Sequence, residues 1–368
     1  MINPANFLSY LKNKNINFFT GVPDSLLKNF LDLIVNEKNH IIAANEGLAV
    51  SLAAGYNLAT GNLPLIYMQN SGLGNAINPI TSLLHKDVYD IPVLFLIGWR
   101  GRPGSNDEPQ HMVKGKITLE ILKLLNIDFH EVSGKCNYKE IIDLAIKNII
   151  QKKNSQALIV HENTFLSPRI IKSESPNKTQ ISREYAIEKI IENFQNDIII
   201  STTGKSSREL FMIRKRRGEI QKDFLTVGSM GHASSIALGI ALNSSKRIIC
   251  IDGDGSLAMH MGNLITIGYL KPINFVHVLI NNQCHESVGG QSTYTNYIDY
   301  KQLSNSLSYK QFMVINKKED FDLISKKIKK SPIFIEVIVN NFVKDNLPRP
   351  DKTPIENKLN FIKHLNDD

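Results

Sequence analysis

Cysteine is scarce in this 368-residue chain: Cys136, Cys250 and Cys284 are odd in number, widely separated and without metal-ligand spacing. That excludes a disulfide framework and a cysteine-based zinc cluster, and makes a reducing cytoplasm the expected address. No apolar run approaches the ~18 residues a membrane span needs. The opening MINPANFLSYLKNKN lacks a basic patch followed by an unbroken apolar stretch, so neither a membrane anchor nor a secretory leader is expected. Charge of one sign is only mildly in excess, 43 − 35 = +8, and the lysines are dispersed among asparagines. The one tight cluster, Arg214-Lys215-Arg216-Arg217, ends an expected helix and reads as a solvated face. It has no aromatic interleaving and no accompanying binding module, so nucleic acid is not an expected partner. A modest positive field favours small anions instead.

What is present is the composition of an ordinary globular protein, 42% hydrophobic and 21% charged. At roughly 100–200 residues per domain the length fits two domains. Short β-rich runs alternate with helix-period stretches, the pattern of βαβ units and parallel sheets. Expected strands are Ile16–Thr20, His40–Ala44, Pro64–Gln69, Pro92–Ile97 and Ala157–His161, then Asp197–Ser201, Phe224–Val227, Arg247–Ile251, Ile273–Ile280 and Pro332–Val339. Between them helices are expected near Ser25–Val35, Glu46–Ala59, Asn75–Leu84 and Ile117–Leu125, then Ser182–Phe194, Gly231–Leu242, Leu257–Tyr269 and Glu319–Lys329. Asn163–Gln180 mixes Pro, Ser, Lys and Asn without a period and marks the linker. The expected organisation is an α/β domain over 1–165, a linker over 166–181 and a second α/β domain over 182–368, each a parallel sheet with helices on both faces. Ligands of such sheets sit beyond the carboxyl ends of the strands.

One such end is RIICIDGDGSLA, Arg247–Ala258. Gly253-x-Gly255-x-x-Ala258 has the outline of a dinucleotide fingerprint, which works by presenting backbone N–H groups to a pyrophosphate. Asp254 between the glycines, with Asp252 before them, repels a diphosphate unless a cation lies between. The acidic residue expected about 20 positions later for a ribose is also missing. A Mg²⁺–diphosphate reconciles these features, because Mg²⁺ takes one or two carboxylates together with phosphate oxygens and water. Asp254 supplies the charged ligand, Asn281-Asn282 at the end of the next strand a neutral amide oxygen, and Gly255 and Ser256 meet the phosphate. Taken singly, an Asp-Gly turn is an N-cap. GDGS followed after 24 residues by an Asn pair is far more specific.

GDGS…NN resembles the diphosphate motif of thiamine-diphosphate-dependent enzymes. That resemblance implies Asp254 and Asn282 as metal ligands with the backbone carbonyl of Cys284, where the family usually has glycine. In the first half, AANEGLAVSLAAGYNLATG resembles the family's pyrimidine-domain motif and implies Glu46 as the carboxyl that meets the aminopyrimidine ring; a Glu in a first helical turn would otherwise only complement the helix dipole. Gly228-Ser229-Met230-Gly231 implies backbone bonds from Gly228 and Met230, with the Met230 side chain wedged beneath the cofactor. The alternative there is a core-filling Met. Thr203, Gly204 and Ser206 suit the diphosphate, and equally suit a plain helix cap. Gly253 completes the cofactor set.

Larger thiamine decarboxylases carry a middle domain, and an interdomain stretch of about 18 residues has no room for one. TGVPDSLL (Thr20–Leu27), IGWRGRPGSNDEPQH (Ile97–His111) and ESVGGQ (Glu286–Gln291) resemble the phosphonopyruvate decarboxylases, with sulfopyruvate decarboxylases as near relatives. The implied substrate is a small anionic 2-oxo acid, 3-phosphonopyruvate, on a route to 2-aminoethylphosphonate. The implied assembly is a homodimer or larger, with the cofactor between subunits. Candidate substrate residues are Asp24, Ser25, Arg100, Arg102, His111 and Lys114, Arg being suited to tetrahedral oxyanions. His285 and Glu286 are candidates for handling the proton delivered to carbon. Sulfopyruvate decarboxylation, a thiamine-dependent carboligation and a nucleotide-binding module stay open as alternatives.

Overall fold

The computed structural model describes residues 1–167, 179–342 and 347–367. The central part of the expected linker, 168–178, lies outside the described residues. The chain divides into two compact units, the first half with Val288–Gln291 and the remainder of the second half.

The first unit holds a six-stranded parallel sheet of β1 (Phe19–Gly21), β2 (His40–Ile42), β3 (Leu65–Gln69), β4 (Leu94–Gly98), β5 (Asp128–Val132) and β6 (Gln156–Val160), in the order β2-β1-β3-β4-β6-β5. Side chains alternate across a strand, and two separate cores result. Leu65, Tyr67, Leu94 and Leu96 pack with Phe7 and Leu11 of α1 (Pro4–Asn13), Phe30 of α2 (Lys28–Ile34) and Ile142 of α6 (Tyr138–Lys152). Ile66, Met68, Phe95 and Ile97 pack on the other face with Ala49 and Ala53 of α3 (Glu46–Thr60), Ala76 of α4 (Leu73–Pro79) and Leu122 of α5 (Pro109–Leu124). Both faces are covered, which is why these strands read as continuous apolar runs.

The second unit repeats the plan with β7 (Ile198–Ser201), β8 (Phe224–Leu225), β9 (Ile248–Gly253), β10 (Phe275–Asn281) and the strands Gln311–Ile315 and Ile333–Ile338. Counted from the β8 edge the order is β8-β7-β9-β10, then Ile333–Ile338, then Gln311–Ile315, again wholly parallel. With the six strands of each sheet numbered along the chain, both units read 2-1-3-4-6-5. Ile187 and Ile190 of α7 (Arg183–Asn193) and Leu210 and Ile213 of α8 (Lys205–Arg216) cover one face. Ala237 of α9 (Ala233–Ala241), Leu264 and Ile267 of α11 (Asn263–Leu270) and Phe361 cover the other. In each unit the order reverses between the first and third strands, and their carboxyl ends there form a crevice.

Several expectations need correction. Asp128–Val132 and Gln311–Ile315 were not expected as strands; each is an edge strand, mostly half-buried, without the unbroken apolar run of a central strand. α1 and α6 were likewise unexpected. The expected helix Leu257–Tyr269 is two, α10 (Asp254–Met259) and α11, separated at His260–Gly262. Asn75–Leu84 begins earlier, at Leu73, and widens into a π-turn at Ile80–Leu84, after Pro79 removes an N–H. Thr164 and Phe165 of the aperiodic stretch are buried, Phe165 against Phe7 and Phe30, while Ile181 at its far end joins the second unit's core.

The basic cluster is also not a uniformly solvated face. Arg214 is 1% exposed and forks onto Asp223 at 2.9 and 3.0 Å. Arg216 pairs with Glu184 and Glu188, Arg217 with Glu219 and Glu192, and Lys215 with Asp351. Carboxylates already occupy these cations, so phosphate backbones have little to gain there. No helix among the described residues is long and apolar enough to cross a membrane.

Candidate active site

At the crevice of the second unit, Ser256 ties three loops together. Its hydroxyl shares a 2.9 Å hydrogen bond with Thr202 Oγ1, just past β7, and accepts the Gly231 N–H at 3.0 Å from the turn before α9. Ser256 itself follows β9. Its hydroxyl is therefore occupied with organising the crevice. Gly253 is extended and open. A Cβ on Gly255 would lie 3.2 Å from the His285 ring and 3.3 Å from Thr293 Cγ2, so this glycine sits where side chains crowd the turn. Gly204 has φ +95° as the residue capping α8, with Thr203 beside it half-buried and Ser206 buried.

Asp254 is 3% exposed and accepts hydrogen bonds on Oδ2 from Thr293 Oγ1 at 2.6 Å and Thr295 Oγ1 at 3.1 Å. Burial nonetheless outweighs these donors and pushes its carboxyl up to about 6. A buried carboxylate short of positive charge is what a hard divalent cation stabilises. Asn282, also buried, donates from Nδ2 to Glu286 Oε2 at 3.3 Å and accepts the Cys284 N–H on Oδ1 at 3.2 Å. Burial drives the Cys284 thiol up to about 12, with Asp254 and Glu286 adding to the effect. It stays a thiol, and only its backbone carbonyl suits a hard cation. An aspartate, an amide and a carbonyl thus fit Mg²⁺, and Thr293 and Thr295 support them. These threonines escaped the sequence reading, since 39 and 41 residues separate them from Asp254.

The turn that carries Gly228 and Met230 has Ser229 at φ +52° and Gly231 at φ +89°. A Cβ on Gly231 would meet the His260 ring at 2.5 Å. This kink projects Met230 outward, 37% exposed, so the core-filling alternative does not hold.

Burial lowers His285 to about 4, so it is neutral near pH 7 and not a cationic acid. Glu286, the other candidate for proton handling, lies in a buried ion-pair network. Oε1 receives Lys205 Nζ at 2.8 Å, and Oε2 receives Arg183 and Asn282. Both oxygens of the candidate proton-handling residue Glu286 are thus engaged by neighbouring donors.

In the first unit Glu46 opens α3 and is 5% exposed. Asn75 Nδ2 donates to its Oε2 at 2.8 Å, and a Cβ on Gly72 would fall 2.4–2.6 Å from its Cγ, Oε1 and Cδ. Asp24, past the end of β1, is 1% exposed; Oδ2 accepts the Leu26 N–H at 3.1 Å and Oδ1 has no hydrogen-bond partner. Burial raises it to about 6 despite the opposing Arg100 charge. Arg100 forks onto Asp107 and reaches Ser25 Oγ at 2.8 Å. Against the upward push of burial, those bonds hold Asp107 well below the ordinary carboxylate range. Arg100 is therefore a brace of its loop, while Arg102 and His111 are partly buried beside it. Lys114 is half-buried, and desolvation lowers its ammonium against the raising influence of Glu46. Asp24, Ser25 and Arg100 come together, as do Glu46 and Lys114.

Family models match in both units: the C-terminal TPP binding domain of thiamine pyrophosphate enzymes over residues 202–337, and the N-terminal TPP binding domain over residues 5–121. A phosphonopyruvate decarboxylase of Streptomyces viridochromogenes is 30% identical over 376 residues, covering 97% of this chain and 93% of the relative. A sulfopyruvate decarboxylase of Methanosarcina acetivorans is 27% identical over 390 residues, covering 99% and 98%. The sulfopyruvate decarboxylase subunit beta of Methanocaldococcus jannaschii is 46% identical over 110 residues, 30% of this chain and 56% of the subunit.

Proposed function

The chain belongs to the thiamine pyrophosphate enzymes, among the decarboxylases of phosphonopyruvate and sulfopyruvate type, and we propose that it converts 3-phosphonopyruvate to phosphonoacetaldehyde and CO₂ with Mg²⁺ as the bridging ion. The observation that carries the cofactor assignment is the buried Asp254 carboxylate in the glycine turn at the sheet's reversal point. Asp254, Asn282 and the Cys284 carbonyl hold the ion, and the main chain of Gly253, Gly255 and Ser256, with Thr203, Gly204 and Ser206, faces the diphosphate. The bound cofactor supplies the electron sink for decarboxylation.

The chain's own groups place and tune. Glu46, fixed by Asn75 and Gly72, presents Oε1 as an acceptor for a ring N–H. Met230 and Gly228 shape the surface on which the ring system rests. Asp24 retains its proton closer to neutrality than an ordinary aspartate and has an unpartnered oxygen, so it is better suited than Glu286 to hold or move a proton. Arg102 and Lys114 bring positive charge for the phosphonate, in keeping with the affinity of cationic side chains for tetrahedral oxyanions. On this reading the enzyme works on a route to 2-aminoethylphosphonate, in the cytoplasm.

A homodimer is part of the same proposal. Leu48, Leu52 and Leu58 of α3 are 49%, 38% and 73% exposed, and Ile265 and Tyr269 of α11 are 61% and 81% exposed. Apolar faces of this kind are covered by association. Light scattering is expected to return at least twice the 41.4 kDa chain mass.

The deciding experiment measures CO₂ release from phosphonopyruvate, sulfopyruvate and pyruvate, with and without thiamine diphosphate and Mg²⁺. Fastest turnover of phosphonopyruvate, dependent on both additions, is expected. The 46% identity to the Methanocaldococcus subunit favours sulfopyruvate as the second reading. Faster release from sulfopyruvate would establish that reading instead.

A further inference from the structure

Arg183 stands where the helix dipole opposes it. It is the first residue of α7, immediately after the Ser182 N-cap, yet cations are unfavourable at that end. It is also 7% exposed, so its charge has been taken out of water as well. Both penalties require compensation, and the partners supply it. Arg183 Nε and Nη2 fork onto Glu209 at 2.7 and 2.9 Å, while Nη1 donates to Glu286 Oε2. Lys205 Nζ reaches Glu286 Oε1 at 2.8 Å. Two carboxylates and two cations thus close a neutral network drawn from α7, α8 and the segment after β10.

Glu286 also accepts from Asn282 Nδ2, at 3.3 Å. A carboxylate accepts only, so it admits the NH₂ side of an amide and excludes the oxygen. The Cys284 N–H donates to Asn282 Oδ1 at 3.2 Å and enforces the same orientation independently. We propose that Glu286, braced by Arg183 and Lys205, is a positioning residue that locks the Asn282 amide with its oxygen turned away from the network, ready to ligate a divalent cation. The inference rests on Asp254 and Asn282 being holders of that cation. It replaces a proton-handling role for Glu286 with a role in metal affinity.

The test titrates Mg²⁺ by calorimetry into full-length protein saturated with thiamine diphosphate, alongside turnover at each Mg²⁺ concentration. Glu286→Gln can turn its own NH₂ toward Asn282 and loses the pull of both cations. It is expected to raise half-saturating Mg²⁺ roughly tenfold, the value of one charge-assisted hydrogen bond. Turnover at saturating Mg²⁺ is expected to fall by less than the affinity does. Lost turnover at unchanged Mg²⁺ affinity would overturn the proposal and return Glu286 to the reaction itself. Should Glu286→Gln fail to fold, Lys205→Met decides, because it removes one brace from a partly exposed position. A rise of about threefold in half-saturating Mg²⁺ is expected, and no rise overturns the proposal. If the unaltered protein takes up thiamine diphosphate without any Mg²⁺ linkage, the cofactor assignment fails instead, an outcome visible before any variant is made.

Discussion

Asn75 on α4 donates its amide N–H to Oε2 of Glu46 across 2.8 Å, and so leaves Oε1 as the carboxylate's open oxygen. Gly72, one turn earlier, closes the other side, where any Cβ would overlap Glu46. The orientation of the Glu46 carboxylate is therefore set by two residues of a different segment.

Asn75→Ala is expected to lower turnover roughly tenfold with thiamine diphosphate affinity nearly unchanged, because it removes one charge-assisted hydrogen bond. Glu46→Gln is expected to retain cofactor affinity and lose turnover by about 10² or more, the scale of a general acid–base contribution. Steady-state kinetics at saturating cofactor, with calorimetric binding, check both. Near-normal rates in Glu46→Gln would remove Glu46 from the mechanism.

Asp24 predicts a pH dependence of stability. Its folded value of about 6 stands above the ordinary aspartate value of 3.8. Between roughly pH 4 and 6 the folded state keeps a proton that the unfolded chain has released, so stability falls as pH rises through that window. That difference corresponds to about 3 kcal/mol. Asp24→Asn is expected to flatten that part of the profile and to raise stability at pH 7, as read from urea unfolding between pH 4 and 7. An unchanged slope would refute the assignment.

Gly115 tests the loop that carries Arg100 and Arg102. A Cβ there would stand 1.7 Å from the Gly101 carbonyl oxygen, and the Gly115 carbonyl accepts Trp99 Nε1–H at 2.9 Å. Gly115→Ala is expected to cost about 3 kcal/mol through overpacking and to displace the loop. The single tryptophan makes its fluorescence a direct reporter of that displacement.

Arg214 tests the fate of the basic cluster. Arg214→Ala leaves Asp223 buried and unpaired and is expected to cost about 3–5 kcal/mol. Arg216→Ala, at an exposed pair, is expected to cost under about 1 kcal/mol. Thermal unfolding of the two variants side by side gives the contrast.

The central strands and the glycine turns were legible in the sequence because both are local. An apolar run buried on two faces and a Gly-Asp-Gly turn are written in consecutive residues. On that basis the two-domain α/β plan and the thiamine relationship followed from the chain alone. The edge strands Asp128–Val132 and Gln311–Ile315 were not legible, since both are mostly half-buried and carry no unbroken apolar run. Nor were the partners. Asn75 lies 29 residues from Glu46, Thr293 39 from Asp254, and Arg183 103 from Glu286. Which donor meets which carboxylate depends on the 2-1-3-4-6-5 order that brings the loops to one edge of each sheet. Sequence supplied the polar groups, and tertiary structure decided their partners, because only folding brings Arg100 onto Asp107 and Ser25, sets Glu286 against Arg183 and Lys205, and buries Asp24.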